Sequence, residues 1–217
     1  MKRKIIWSVV ILIIASAVFP RNSGTPVFFL VSRQKNIPIL MYHRVSPDSI
    51  RSGLGIRVPP HDFEEQMKYL NEKGFHTISL DMLIDHWDKG TTLPPYSVII
   101  TFDDGYQDNY TYALPILKKY GFIATIFIVY NQVGRYNDWD AQKNIARSQK
   151  LLSWAQIRAM QKYGISFQSH TLNHFALSTL TSVQAKNEIA VSKRRLQAAL
   201  GQPDLNKTIT RFLSNIK

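Results

Sequence analysis

The sequence predicts an α/β fold in which short apolar strands alternate with helices around a parallel sheet. Two observations predict it. Strand candidates such as Ser97 to Phe102 and Ile123 to Tyr130 are apolar almost throughout, rather than at every second position. That is the pattern of strands buried on both faces, as in parallel sheets. Between them, apolar residues recur at helical spacing, as at Phe63, Met67 and Leu70. Strand–helix alternation of this kind puts helices outside the sheet, which is either a barrel or open. At 217 residues, 45% apolar and 19% charged, the chain suits one globular domain.

The elements follow in order. Ile37 to Tyr42 is the first strand candidate, and the helix holding Phe63, Met67 and Leu70 ends at Gly74. Phe75 to Leu80 reads as a second strand. Asp81 is a candidate cap for a short helix through Asp88, closed by Gly90, Pro94 and Pro95. Ser97 to Phe102 and Ile123 to Tyr130 are the third and fourth strands, with a helix from Asn109 to Tyr120 between them. A polar loop, 131–150, leads to a helix capped by Ser153, and Ile165 to Ser169 is the fifth strand. The last helix, Ser182 to Leu200, carries Ala185, Ile189, Leu196 and Leu200 on one face and stops at Gly201.

Composition narrows the chemistry. There is no cysteine, which excludes disulfides and thiolate metal sites, so any metal falls to His, Asp or Glu. The net charge of +12 favours polyanions such as lipid headgroups or anionic cell-wall polymers. The scattered Lys and Arg, with no recognised binding motif, argue against nucleic acid. At the N-terminus Lys2, Arg3 and Lys4 precede an apolar run from Ile5 to Phe19 broken only by Ser8 and Ser16. Ala15-Ser16-Ala17 supplies a small-residue cleavage site, so residues 1–20 read as a signal peptide or N-terminal membrane anchor. Residues 21–36 read as a linker and 37–217 as the domain. The expected location is secreted, or anchored through residues 5–19 to the outer face of the cytoplasmic membrane.

Two segments carry candidate chemistry. In Thr101-Phe102-Asp103-Asp104-Gly105-Tyr106 an apolar strand ends in two adjacent carboxylates and a glycine. Strand C-termini are where parallel α/β folds gather functional groups. Neighbouring carboxylates repel, which calls for a cation or a shared proton; an ordinary Asp-Gly turn is the plainer reading. In Ser169-His170-Thr171-Leu172-Asn173-His174 the His-x-x-x-His spacing places both imidazoles on one side of a helical turn. Asp104, His170 and His174 together make three ligands with a fourth position left for water, as in catalytic zinc sites.

These two motifs, in this order, resemble those of the polysaccharide deacetylases, the NodB-homology domain of carbohydrate esterase family four. Ile39-Leu40-Met41-Tyr42-His43-Arg44-Val45, Ala124-Thr125-Ile126-Phe127 and Leu152-Ser153-Trp154-Ala155-Gln156-Ile157 add smaller matches, and the resemblance spans 37–201. It implies a distorted (β/α) barrel and hydrolysis of N-acetyl groups on an N-acetylglucosamine-containing polysaccharide. It further implies a divalent metal, zinc first, on Asp104, His170 and His174, with Asp103 as catalytic base.

The sequence departs from the family at two places. Many members take their acid histidine from a Leu-x-His motif near the C-terminus, and no histidine follows His174 here. The poly-N-acetylglucosamine deacetylase branch places it after the first strand, and Met41-Tyr42-His43-Arg44-Val45 is similar to that branch. His43 is therefore the candidate proton donor, its alternative being a half-buried histidine satisfied by backbone. Beyond Gly201 the family continues into a strand with an aromatic-Pro-aromatic-Gly or Arg-x-Pro-type motif that orients the base and lends an oxyanion donor. Residues 202–217 carry none, so the domain is expected to be incomplete at its C-terminus, with an open sheet edge. The alternative function is an impaired remnant that binds metal or polysaccharide without turnover.

Overall fold

The computed structural model describes residues 12–14, 36–48, 56–141 and 148–201, with backbone alone at 12–14, 140 and 141. Of the expected export segment and linker only 12–14 and 36 fall within it, and residues 202–217 lie outside it. Along the chain, β1 (Leu12–Ile14) and β2 (Ile39–Tyr42) precede a short ladder of β3 (Arg44–Val45) and β4 (Arg57–Val58). Next come α1 (Pro60–Glu72), β5 (His76–Thr77), α2 (Leu80–Lys89) and β6 (Ser97–Phe102). A π-helical turn, Asn109–Ala113, runs into α3 (Leu114–Lys119) and then β7 (Thr125–Ile128). The order closes with α4 (Asp138–Ala141), α5 (Trp154–Tyr163), β8 (Ser166–Ser169) and α6 (Ser182–Leu200).

Six strands form one parallel sheet in the order β1-β2-β6-β7-β8, with β5 on the first residues of β6. The predicted α/β class holds. Among the described residues the sheet does not close: β8 pairs with β7 alone. Every residue of β6 is buried, and its side chains divide between two clusters. Ile100 and Phe102 join Phe63, Met67 and Leu70 of α1, Leu114 and Leu117 of α3, and Ile157 and Met160 of α5. Ile99 joins Ile39, Ile78, Leu80 and Leu83. Helices therefore cover both faces, which is why this strand has no polar alternation.

Local chemistry fixes where the helices begin. Ser153 caps α5 with a reciprocal Ser–Gln capping box, and Thr181 does the same for α6. The second helix is capped by Ser79, whose Oγ accepts from Met82 N at 3.1 Å; Asp81 lies in the first turn and is not the cap. That earlier start shortens the second strand to His76–Thr77. The expected helix from Asn109 opens with five π-helical residues before the α-helical hydrogen bonding begins. In α6 the buried stripe is Glu188, Ser192 and Leu196, whereas Ala185, Ile189 and Leu200 are only partly covered.

Behind the rim, Tyr42, Phe63 and Phe102 pack as an aromatic trio with ring centroids 5.1, 5.5 and 5.8 Å apart. The Tyr42 hydroxyl donates to Gln66 Oε1 at 2.7 Å. Register places Tyr42 opposite Phe102, so the residues that follow, His43 and Asp103, leave the sheet side by side. Asp103 N donates to Tyr42 O at 2.9 Å and extends the ladder by one bond. Gly105 then turns the chain with φ +73°, and a Cβ there would lie 2.8 Å from Ile128 Cγ2. Gly90 has nearly the same φ, +69°, but open space around it. Gly90→Ala is expected to cost about 1–2 kcal/mol from backbone strain alone. Gly105→Ala adds overlap with β7 and should cost about 2–5 kcal/mol. The two urea midpoints check this, and equal costs would show that Ile128 yields freely.

Candidate active site

Three strand ends supply the site. His43 follows β2, Asp103 and Asp104 follow β6, and His170 follows β8, its N donating to Ile128 O at 2.8 Å. All five residues singled out from sequence thus reach one rim. Asp104 is buried, with φ +68°, a left-handed conformation that Asp tolerates better than most residues. Its Oδ1 is 3.3 Å from His170 Nε2 and 3.2 Å from His174 Nε2. The Oδ2 of Asp103, one residue earlier, is 3.9 Å from His43 Nε2.

Electrostatics separate the two carboxylates. Burial raises the Asp103 pKa, and the charge of Asp104 adds to it against the pull of His170 and His43. Burial also pushes Asp104 up, but the His174 hydrogen bond and the neighbouring imidazoles outweigh it, and the net direction is down. Burial lowers His170, which favours its neutral, electron-donating form. The two carboxyls are thereby pushed in opposite directions.

The His170–His174 segment is not the helical turn its spacing suggests. It is an irregular loop in which Thr171 and His174 both have left-handed φ, +69° and +64°. Two such residues, one of them β-branched, cannot continue a helix, and the rings meet through a tighter turn instead. Thr171 Oγ1 accepts from His174 N at 3.0 Å inside that turn. The rings lie 5.2 Å apart, and Trp139 covers His174 at 4.3 Å between centroids.

The surroundings hold residues that sequence reasoning passed over. Asn109, fully buried, donates through Nδ2 to His43 O at 2.9 Å and so fixes the backbone carrying that imidazole. Arg44, next in the chain, is 4% exposed and donates to Asp108 Oδ2 and Asp48 Oδ2, both at 2.8 Å. Burial pushes Asp108 up to about 6 even though Arg44 pulls it down. Asn109 opens the π-helical turn, and its place six residues after Asp103 was the available signal. Trp139 came from a loop, 131–150, read only as polar, where a large aromatic between two aspartates was the clue.

The donor set fits a divalent cation. Ligand atoms of Asp104, His170 and His174 all lie within 4.8 Å of one another, and they combine one carboxylate with two imidazoles.

A family model described as polysaccharide deacetylase matches residues 90–208. The Bacillus subtilis (strain 168) polysaccharide deacetylase YxkH is 36% identical over 174 residues, covering 80% of this chain and 56% of that protein. The poly-beta-1,6-N-acetyl-D-glucosamine N-deacetylase of Escherichia coli (strain K12) is 31% identical over 121 residues, 52% of this chain and 17% of that one. This chain therefore spans about half or less of the length of these relatives. Among solved structures, the Streptococcus pyogenes deacetylase PplD in complex with acetate superposes with a TM-score of 0.64 at 29% identity, covering 76% of this chain and 70% of that one. With the family model matching more than half of its residues, the chain belongs to the polysaccharide deacetylase family.

Proposed function

We propose that this chain is a metal-dependent hydrolase that removes N-acetyl groups from an N-acetylglucosamine-containing polysaccharide outside the cytoplasmic membrane. The observation that carries the reading is the division of labour at the end of β6. Asp104 faces His170 and His174, while Asp103 faces His43. The E. coli relative named for poly-N-acetylglucosamine deacetylation supports the substrate class. The acetate in the streptococcal neighbour is the acid that deacetylation releases.

Asp104, His170 and His174 would hold the cation, zinc by donor type. When bound, such an ion supplies positive charge that acidifies water and polarises a carbonyl. Asp103 Oδ2 takes the proton of the attacking water as its oxygen bonds to the acetyl carbon. The C–N bond then breaks, and the nitrogen receives a proton from His43 Nε2, leaving acetate and a free amine. Asn109, through the carbonyl of His43, keeps the donor on its side of the site. Asp103 returns its proton to solvent, and His43 is reprotonated from there.

Replacing His170 and His174 together with alanine should abolish stoichiometric zinc, measured by atomic emission on the purified full chain. One zinc per chain in that double variant would place the ion elsewhere. Asp103→Asn should keep zinc and lower acetate release from an acetylated glucosamine oligomer by about 100-fold or more. Acetate release unchanged by Asp103→Asn would exclude this base. Zinc bound by the native chain without any acetate release would instead favour the non-catalytic, binding reading.

The location is proposed on Lys2, Arg3 and Lys4 ahead of the apolar run from Ile5 to Phe19. β1 joins the sheet only at its outer edge, on β2, so cleavage after Ala17 would remove one edge strand and leave the β2–β6 pairing in place. Among the described residues no helix is long and apolar enough to cross a membrane. Alkaline phosphatase fused after Lys217 should be active in intact cells. A fusion active only as a cytoplasmic reporter would refute export.

A further inference from the structure

The polar core of α6 is unexplained by the chemistry above. Glu188 is 6% exposed, and among the described residues no Lys, Arg or His pairs with it. An ionised carboxylate so placed is costly unless its oxygens are fully hydrogen-bonded. Its partners are specific. Oε2 accepts from Leu172 N at 3.0 Å and Asn173 N at 2.9 Å, and Oε1 accepts from Asn173 Nδ2 at 2.6 Å. Both residues belong to the loop between His170 and His174.

The same loop is held from its other side. Tyr130 N donates to Thr171 O at 3.2 Å and Asn131 N to Leu172 O at 3.0 Å. Asn131 Nδ2 donates to Asn173 Oδ1 at 2.8 Å. Glu188 is itself anchored to the sheet. Ser192 Oγ lies 2.6 Å from Glu188 O and 2.6 Å from Ser169 Oγ at the end of β8. The loop so clamped contains the two left-handed residues, Thr171 and His174, which persist only where surrounding contacts over-determine them.

We infer that Glu188 is a positioning residue: through Leu172 and Asn173 it holds the His170–His174 loop in the one turn that brings both imidazoles to Asp104. The inference rests on the reading of Asp104, His170 and His174 as the cation site. A carboxylate suits this place without any rearrangement because all three partners are donors. In Glu188→Gln the new amide nitrogen meets the Asn173 amide nitrogen, donor against donor. Turning the Asn173 amide around moves that conflict to Asn131, and turning the Asn131 amide as well relieves it, so Glu188→Gln keeps its loop contacts only through two amide flips. Adding Asn173→Asp removes the need for those flips: the introduced carboxylate accepts from the introduced amide and still accepts from Asn131. The double variant therefore restores every hydrogen bond with the local net charge unchanged, which separates positioning from simple attraction of a cation.

The test uses the full-length chain and Zn2+ in competition with a chromophoric chelator, with Co2+ absorption as a report of ligand geometry. Glu188→Ala should weaken zinc binding by about 10- to 100-fold, the usual effect of losing an outer support, and Glu188→Gln should weaken it less. Glu188→Ala should also alter the Co2+ spectrum. Glu188→Gln with Asn173→Asp should return affinity and spectrum close to those of the native chain. In the metal-free protein, hydrogen exchange of the Leu172 and Asn173 amides should accelerate in Glu188→Ala. Native affinity in Glu188→Ala, or a double variant that binds zinc no better than Glu188→Ala while its circular dichroism is native, would overturn the inference. Failure of the native chain itself to bind zinc through His170 and His174 would instead remove the cation site on which the inference stands.

Discussion

Two carboxylates placed one after the other at the end of a buried strand repel each other, and neither is well hydrated there. The fold handles this by separating them. The left-handed turn at Asp104 and Gly105 sends successive side chains to different neighbours, Asp103 towards His43 and Asp104 towards His170 and His174. That separation depends on β7 leaving room, since Ile128 lies where a side chain at position 105 would go. It also depends on β2 ending level with β6, Tyr42 opposite Phe102, and on β8 running two residues past that level to Ser169. The positions of the histidines are thus consequences of strand register, and the register is set by the apolar packing beneath it.

Much of this was legible in the sequence because it follows from short-range rules. The apolar run Ser97 to Phe102 gave its strand without error, and Ser153 with Gln156 spelled a capping box that the structure contains. The motif residues could be assigned to strand ends for the same reason. Errors arose where a local rule met a tertiary demand. Asp81 is a good cap residue, but Ser79 begins the helix earlier because Leu80, Leu83 and Ile84 must face the core together. His-x-x-x-His reads as a helical face only if the backbone is helical, and two left-handed residues prevent that.

Glu188 and Ser192 show a different limit. Amphipathic logic assigns a glutamate and a serine to the wet side of a helix and expects Ala185 and Ile189 inside. Here α6 covers a loop whose Leu172 and Asn173 amides find their acceptor in Glu188, so a carboxylate complements it better than a methyl group. Nothing in the spacing of α6 alone announces this, because the partner's chemistry decides it. The Arg44–Asp108 pair and Asn109 are hidden from sequence for the same reason. Their roles exist only once β2 and the π-helical turn are side by side.

The residues that converge on this rim come from far-separated stretches of the chain, and β7 lies between the two strands that supply Asp104 and His170. Contacts of such long sequence separation form only after the intervening loops have closed, and closing them costs chain entropy before any contact repays it. A partly assembled sheet therefore has no site at all, only isolated histidines and a carboxylate pair. The capacity for chemistry arrives late in folding and all at once, so a chain still being threaded or extended is chemically silent.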